Sequence, residues 1–428
     1  MESPTPPSGP DNDPTFSPSA PGARHDSYAA LRYRDFRFLT IGTLASSLGS
    51  QMLGVAVGWE LYERTNSAFV LGIVGLVQVI PVLLFSLYAG HIADRFDRKR
   101  IVMLSQALLL LCSLGLAVWS YGQGSLLLAF TCLGLIGVAR AFGGPAGSAL
   151  LPQTVPPPVF MNAATWSSSS GQLAAVVGPG LGGLMIAQFG SATAVYLVDA
   201  VAVLTFVLLL SMIPRRVVTA VSEPATLQSL LAGIRFIYRT KVVLASITLD
   251  LFAVLLGGAT ALLPVFAKDI LEVGPTGLGW LRTAPSVGAI LVALVLAHRP
   301  PFKHAGKTLL WTVAGFGVAT IIFGFSESFW LSVAMLALLG AFDGVSMVIR
   351  HVLVLVKTPD EMRVRVNAVE GVFIGASNEL GAFESGVAAA LLGPVLAVAS
   401  GGVGTILVVI FIALAWPEVR RLRQISEG

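Results

Sequence analysis

Cysteine, histidine and charge are all scarce in this chain. Only two of its 428 residues are cysteine, Cys112 and Cys132, and each lies inside a separate apolar run. That excludes a disulfide framework and leaves both as small packing residues. The five histidines, His25, His91, His298, His304 and His351, never pair at the spacing of metal ligands, so no metal site is expected. Charged residues make up 12% of the chain against 55% hydrophobic, and mean hydropathy is +0.81. A water-soluble fold would keep one face of each helix or strand polar. Instead, apolar runs of about twenty residues recur, the length that crosses a hydrocarbon core of ~30 Å as a helix. The 45 glycines and 24 prolines are compatible with helices here, because neighbouring spans satisfy freed backbone groups. The composition is that of an integral membrane protein.

The segment 1–30 is rich in Pro, Ser and Gly and poor in aliphatics, so it is expected to stay disordered. It lacks the basic start, apolar stretch and cleavage site of a signal peptide. Twelve spans are predicted, centred near residues 48, 80, 111, 135, 178, 203, 254, 287, 315, 339, 378 and 406. Charge placement agrees with that number. Basic residues cluster before the first span (Arg24, Arg32, Arg34, Arg37) and after every even one: Arg95 to Arg100, Arg215 to Lys241, Arg299 to Lys307, Lys357 to Arg365, and Arg420 to Arg423. The opposite loops hold only Arg64 and Lys268. Basic loops favour the cytoplasm, which puts both termini there.

The longest predicted loop contains "TLQSLLAGIRFIYR". Leu227, Leu230, Leu231, Ile234 and Ile237 fall on one helical face, with Gln228, Arg235 and Arg239 opposite, the pattern of a helix lying on a membrane surface. Sliding the chain by 204 positions superimposes Gly75 on Gly279, Pro81 on Pro285, Arg95 on Arg299 and Lys99 on Lys303. Repeated halves of this kind are common in transporters. The expected organisation is a disordered cytoplasmic tail over 1–30, a six-helix bundle over 31–213, a cytoplasmic linker with an amphipathic helix over 214–241, a second six-helix bundle over 242–418 and a cytoplasmic tail over 419–428.

"GHIADRFDRKR", between the second and third spans, concentrates acids as well as bases. Its spacing, carried by Gly90, Asp94, Arg95, Lys99 and Arg100, resembles the loop signature of the major facilitator superfamily, with Asp97 where that family usually has glycine. The resemblance implies an all-α fold of twelve transmembrane helices in two pseudo-symmetric six-helix bundles. It also implies that Asp94 latches the halves together by meeting the start of the eleventh helix. "TPDE", Thr358 to Glu361, offers such a start, with Thr358 as cap and Pro359 in the first turn. In the fifth span Gly178, Pro179, Gly182 and Gly183 resemble the family's antiporter signature, with Ala174 in place of a further glycine. Gly178, Gly180 and Gly183 also satisfy a dinucleotide fingerprint, but no strand precedes them. "AGKT" at 305–308 lacks the first glycine of a phosphate loop. No nucleotide, cofactor or nucleic acid is therefore expected as a partner. Arg140 and Gly144 resemble the family's fourth-span element. "LRYRDFRFL", "LLPVFAKDILEVGPTGLG" and "SNELGAFESG" resemble the enterobactin-exporter-like, or transmembrane secretion effector, branch.

The expected activity is proton-driven export of small amphipathic molecules such as drugs or siderophores by a non-enzymatic, monomeric carrier in the plasma (inner) membrane. The alternatives are an uptake symporter of the same fold and a non-transporting scaffold or sensor. Acids placed inside spans are costly and point to function. Asp343, Asp250, Glu379 and Asp199, with Arg140, are the candidates for proton coupling. Gln51, Ser47, Arg282 and Gln172 are candidates for the cargo cavity, and Arg140 or Arg282 for pairing with the acids.

Overall fold

The computed structural model describes residues 26–214, 227–300 and 302–422, with side chains throughout except at 86, 87, 91, 93–95, 227–230, 360, 361, 364 and 368. No strand occurs among the described residues. The helices are α1 (Arg34–Thr65), α2 (Ala68–Arg95), α3 (Arg98–Tyr121), α4 (Leu126–Leu150), α5 (Phe160–Phe189), α6 (Thr193–Ser211), α7 (Leu227–Arg239) and α8 (Lys241–Leu256). A 3-10 turn then leads into the short α9 (Leu263–Val265) and a π-helical turn, Phe266–Ile270. The chain continues as α10 (Gly274–Ala297), α11 (Ala305–Gly324), α12 (Phe329–Lys357), α13 (Asp360–Leu392), α14 (Pro394–Ala415) and α15 (Pro417–Arg421). Turn chemistry separates them: Gly190 and Gly393 end α5 and α13 at φ 63° and 84°, and Pro394 then opens α14.

Eleven stretches among the described residues are long and apolar enough to cross a bilayer, Lys241–Ile270 counting as one. The helix centred near 378 is α13, whose 33 residues include Glu370, Asn378, Glu379 and Glu384. That polar load keeps it out of the apolar set.

α1 packs on α5 and α6, α3 on α4 and α6, and α2 on α4. α10 packs on α12, α11 on α12 and α14, and α8 on α13 and α14. Two long seams join these groups, α2 against α13 and α5 against α10. Both seams depend on small residues. A Cβ at Gly75 would stand 2.5 Å from the Glu379 carbonyl oxygen, and one at Gly279 would stand 2.8 Å from that of Pro179. These two glycines are the pair superimposed by the 204-residue shift, and each sits at a seam.

Three local expectations change. Residues 26–32 are ordered against α5: Ala30 N–H donates to Asn162 Oδ1 at 2.9 Å, and Trp166 Nε1 donates to the Ser27 carbonyl at 3.0 Å. The rest of the expected tail, 1–25, lies outside the described residues, as do 215–226 and 423–428. The linker helix α7 docks on protein. Ile234 and Ile237 join a cluster with Val243, Val366 and Val369, and a Cβ at Gly233 would stand 2.9 Å from the Arg365 carbonyl oxygen. Burying those side chains against α8 and α13 removes apolar area from water without recourse to lipid. Leu231 stays exposed, while the side chains of Leu227, Gln228 and Leu230 lie outside the described ones. Finally, Thr358 does not cap α13. The helix begins at Asp360 after Pro359, and among the described residues no side chain caps it and the buried Thr358 hydroxyl at the end of α12 has no partner.

Candidate functional site

A cavity of about 470 Å³ lies where the two seams converge. α1 contributes Ser50, Gln51, Gly54 and Gly58; α2 contributes Gln78, and α4 contributes Arg140. From the other group come Thr260 after α8, Arg282 and Ser286 on α10, and Asn378 and Glu379 on α13. Leu53, Val57, Leu71, Val74 and Leu133 supply apolar walls. Arg140 donates to Gln78 Oε1 at 3.0 Å and to Ser50 Oγ at 3.3 Å. Arg282 reaches toward α1, where a Cβ at Gly54 or Gly58 would stand 3.0 or 3.4 Å from its Nη atoms. The small residues on α1 therefore make the slot that holds this guanidinium. Its Nε is buried without a hydrogen-bond partner. Glu379 is electrostatically coupled to both arginines.

The fifth-span motif shapes one wall. A Cβ at Gly178 would stand 2.5 Å from Gln51 Cβ, and one at Gly182 would stand 3.0 Å from Met52 Cα, so these two seat α5 on α1. Gly183 faces the other way, against the Pro275 carbonyl and Gly279 of α10. Pro179, between them, lines the cavity. One short motif thus packs α5 against both groups of helices at once.

Of the residues singled out from sequence, Gln51, Arg140, Arg282 and Glu379 meet at the cavity, whereas Ser47 and Gln172 are not among its lining residues. Asp250 and Asp343 sit elsewhere. Asp250 forms a buried ion pair with Arg350 of α12, and Asp343 lies 3.8 Å from the same guanidinium. Glu370 is electrostatically coupled to Arg350 as well. The expected partners, Arg140 and Arg282, are replaced for these acids by Arg350, because α12 turns both Asp343 and Arg350 toward α8. Two voids of about 10 Å³ flank Asp250, close to the room one water needs. Asp199 is buried between α1, α3 and α6, accepting from Ser113 Oγ at 2.5 Å beside Gly49. It does not reach the cavity.

The charged connection between α2 and α3 has two described functions in packing. Asp97 caps α3 by accepting from Lys99 N–H at 3.0 Å, and lies 3.7 Å from Arg100 Nε. An aspartate therefore serves well where the family usually has glycine. Lys99 is buried, and its ammonium donates to the carbonyls of Ser211, at 3.0 Å, and Ile213 at the end of α6. A cation there meets the negative pole of the helix. Gly90 lies in the last turns of α2; the side chains of Asp94 and Arg95 lie outside the described ones, as do those of Asp360 and Glu361.

Sequence reasoning missed a junction at the end of the molecule that carries the 66–67 and 257–273 connections. The Tyr62 hydroxyl donates to Asp269 in the π-helical turn, and Lys268 Nζ donates to Asn66 Oδ1 at 2.7 Å. These contacts join α1 to the segment after α8. At the opposite end, five consecutive α13 residues, 371–375, are exposed, and positions 171, 371 and 375 have nothing within 4 Å of a Cβ. Also missed was Glu60, buried in α1 and paired with Arg64 at 2.5 Å, whose guanidinium lies 4.1 Å from the centre of the Trp119 ring.

Comparison with known proteins bears on the whole chain. The family profile described as transmembrane secretion effector matches residues 25–427. The enterobactin exporter EntS of Shigella boydii serotype 4 is 27% identical over 392 residues, covering 91% of this chain and 93% of its own. Its counterpart from Escherichia coli O1:K1 matches to the same extent. Among solved structures, a POT family transporter in complex with 5-aminolevulinic acid superimposes with a TM-score of 0.71 at 11% identity, covering 90% of this chain and 97% of the other. A bacterial homologue of the human lysosomal transporter Spinster, inward-facing and unoccupied, gives 0.64 at 15% identity, covering 90% and 96%.

Proposed function

Because the chain belongs to the transmembrane secretion effector family of the major facilitator superfamily, we propose that this multi-pass membrane protein is a proton-driven exporter. Its cargo is small and amphipathic, with siderophores favoured by what the EntS relatives export. In this reading α13 counts as the twelfth span, and two six-helix bundles, 31–213 and 242–418, rock about the two seams. Both termini are cytoplasmic, the carrier is a monomer, and the cavity is open toward the cytoplasm. The observation that carries the proposal is the polar cavity at the meeting of α2, α13, α5 and α10; in this reading the Tyr62–Asp269 junction closes its other end.

Proton and cargo are assigned to different groups. Asp250, Asp343 and Glu370 outnumber the single guanidinium of Arg350, so a proton can be held there without an uncompensated buried charge. α13 carries Ser377 beside that cluster and Asn378 with Glu379 on the cavity, which makes it the element linking the two. Asp94, meeting the start of α13, latches the bundles.

Proteoliposomes with an imposed pH gradient test this reading. Cargo should move against the proton flow, and Asp343→Asn or Asp250→Asn should abolish that coupling while the protein stays folded. Movement of cargo with the proton would instead assign uptake symport, and silence across a broad panel would sink both. Single-cysteine labelling at 94–100 should mark the cytoplasmic side.

A further inference from the structure

The charge inventory of the cavity narrows the cargo class. Among the described lining residues there are two guanidinium groups, Arg140 and Arg282, and one carboxylate, Glu379; the other polar groups are amides and hydroxyls. Arg140 spends its hydrogen bonds on neutral acceptors, Gln78 and Ser50. Among the described residues Arg282 makes no ion pair within 4.0 Å, and its buried Nε has no acceptor. Glu379 faces both arginines without an ion-pair contact to either. A buried guanidinium without a matching oxyanion is costly, and its planar fork is shaped for two oxygens of one acidic group.

The rest of the wall is apolar, with Leu53, Val57, Leu71, Val74 and Leu133. The volume, about 470 Å³, is that of a site for a drug-sized molecule. Resting on the exporter reading above, we propose that the cargo is an amphipathic anion whose carboxylate-like head is held by Arg282 and Arg140 while its apolar body lies along α1 and α2. Glu379 is then the internal competitor. Its charge answers the two guanidiniums across the cavity and yields them to the cargo head.

Three physical consequences follow from that arrangement. Acid and amide analogues of the same shape are discriminated at this site. Loss of the Arg282 charge removes the discrimination. Loss of the Glu379 charge strengthens it, because the cargo no longer competes.

Equilibrium binding to the full chain in lipid nanodiscs, with no gradient, tests this with two isosteric probes, 1-naphthoate and its neutral amide, 1-naphthamide. The acid should bind about tenfold or more tighter, a difference near 1.4 kcal/mol. Arg282→Gln should make the two probes equivalent, and Arg282→Lys should restore part of the preference. Should Arg282→Gln fail to fold, Arg140→Gln, at a side chain more open to the cavity, should reduce the same ratio. Glu379→Gln should tighten naphthoate several-fold and leave naphthamide unchanged. Equal binding of the probes, no naphthoate binding in the millimolar range, a preference retained in both arginine variants, or weaker naphthoate binding in Glu379→Gln would each overturn the assignment. Anion preference without gradient-driven flux would leave this site standing and remove the exporter reading. Flux without anion preference would do the reverse.

Discussion

Tyr62 on α1 and Asp269 in the π-helical turn share a hydrogen bond, at the end of the cavity that the exporter reading takes as closed. The two residues are 207 positions apart in the chain, and the bond joins the helix groups that the α2–α13 and α5–α10 seams also join. A side-chain hydrogen bond contributes roughly 0.5–1.5 kcal/mol net. Tyr62→Phe should therefore shift the population toward opening at that end. Spin labels at Ser67 and Glu272 would report it as a longer, broader distance distribution. An unchanged distribution would show that the junction does not hold the closed state.

Asp250 and Arg350 predict an asymmetry. Replacing Asp250 by Asn leaves Arg350 with Asp343 and Glu370 still nearby. Replacing Arg350 by Met strips three carboxyl groups of their shared cation. Breaking a buried pair costs about 3–5 kcal/mol when a charge is left alone. Thermal unfolding in detergent should show Arg350→Met falling well below Asp250→Asn, with the double variant recovering part of the loss. Equal losses would argue against one shared cation.

The fifth-span glycines separate by position. A Cβ at Gly183 collides with the Pro275 carbonyl, whereas one at Gly171 meets nothing within 4 Å. Overpacking of this kind costs about 1–3 kcal/mol. Gly183→Ala should lower thermal stability and transport, and Gly171→Ala should leave both unchanged.

Lys99 and Arg100, adjacent in the charged connection, should behave oppositely. Lys99→Met leaves the Ser211 and Ile213 carbonyls without their donor, a loss of about 1–3 kcal/mol for buried acceptors. Arg100 is exposed, so Arg100→Gln should change stability by no more than about 0.5 kcal/mol. Melting temperatures of the two variants decide it.

What could be read from sequence follows from the physics of each signal. Apolar run length located the eleven stretches long and apolar enough to cross a bilayer, because the bilayer imposes one length on them all. That signal is legible without knowing any neighbour. The direction a side chain faces is not. Asp343 meets Arg350, whereas Glu379 lines the cavity. Only the packing of α12 and α13 decides that. Two signals were present and went unused: Asp343 and Arg350 are seven residues apart, which places them on one helical face, and Glu60 and Arg64 are four apart. The Thr358 cap failed because a local capping pattern cannot tell the first residue of one helix from the last of its predecessor.

The polar load of α13 bears on how the protein is made. A charged residue near the middle of a lone span opposes insertion by roughly 2.5–3.5 kcal/mol, and each leucine returns only a few tenths. With Glu370, Glu379 and Glu384 aboard, α13 is a poor substrate for the translocon by itself. With α13 as the twelfth span, as proposed above, its insertion would depend on Arg350, Arg282 and Arg140 being in place to answer its carboxyls: the segment richest in function would be the one least able to enter the lipid alone.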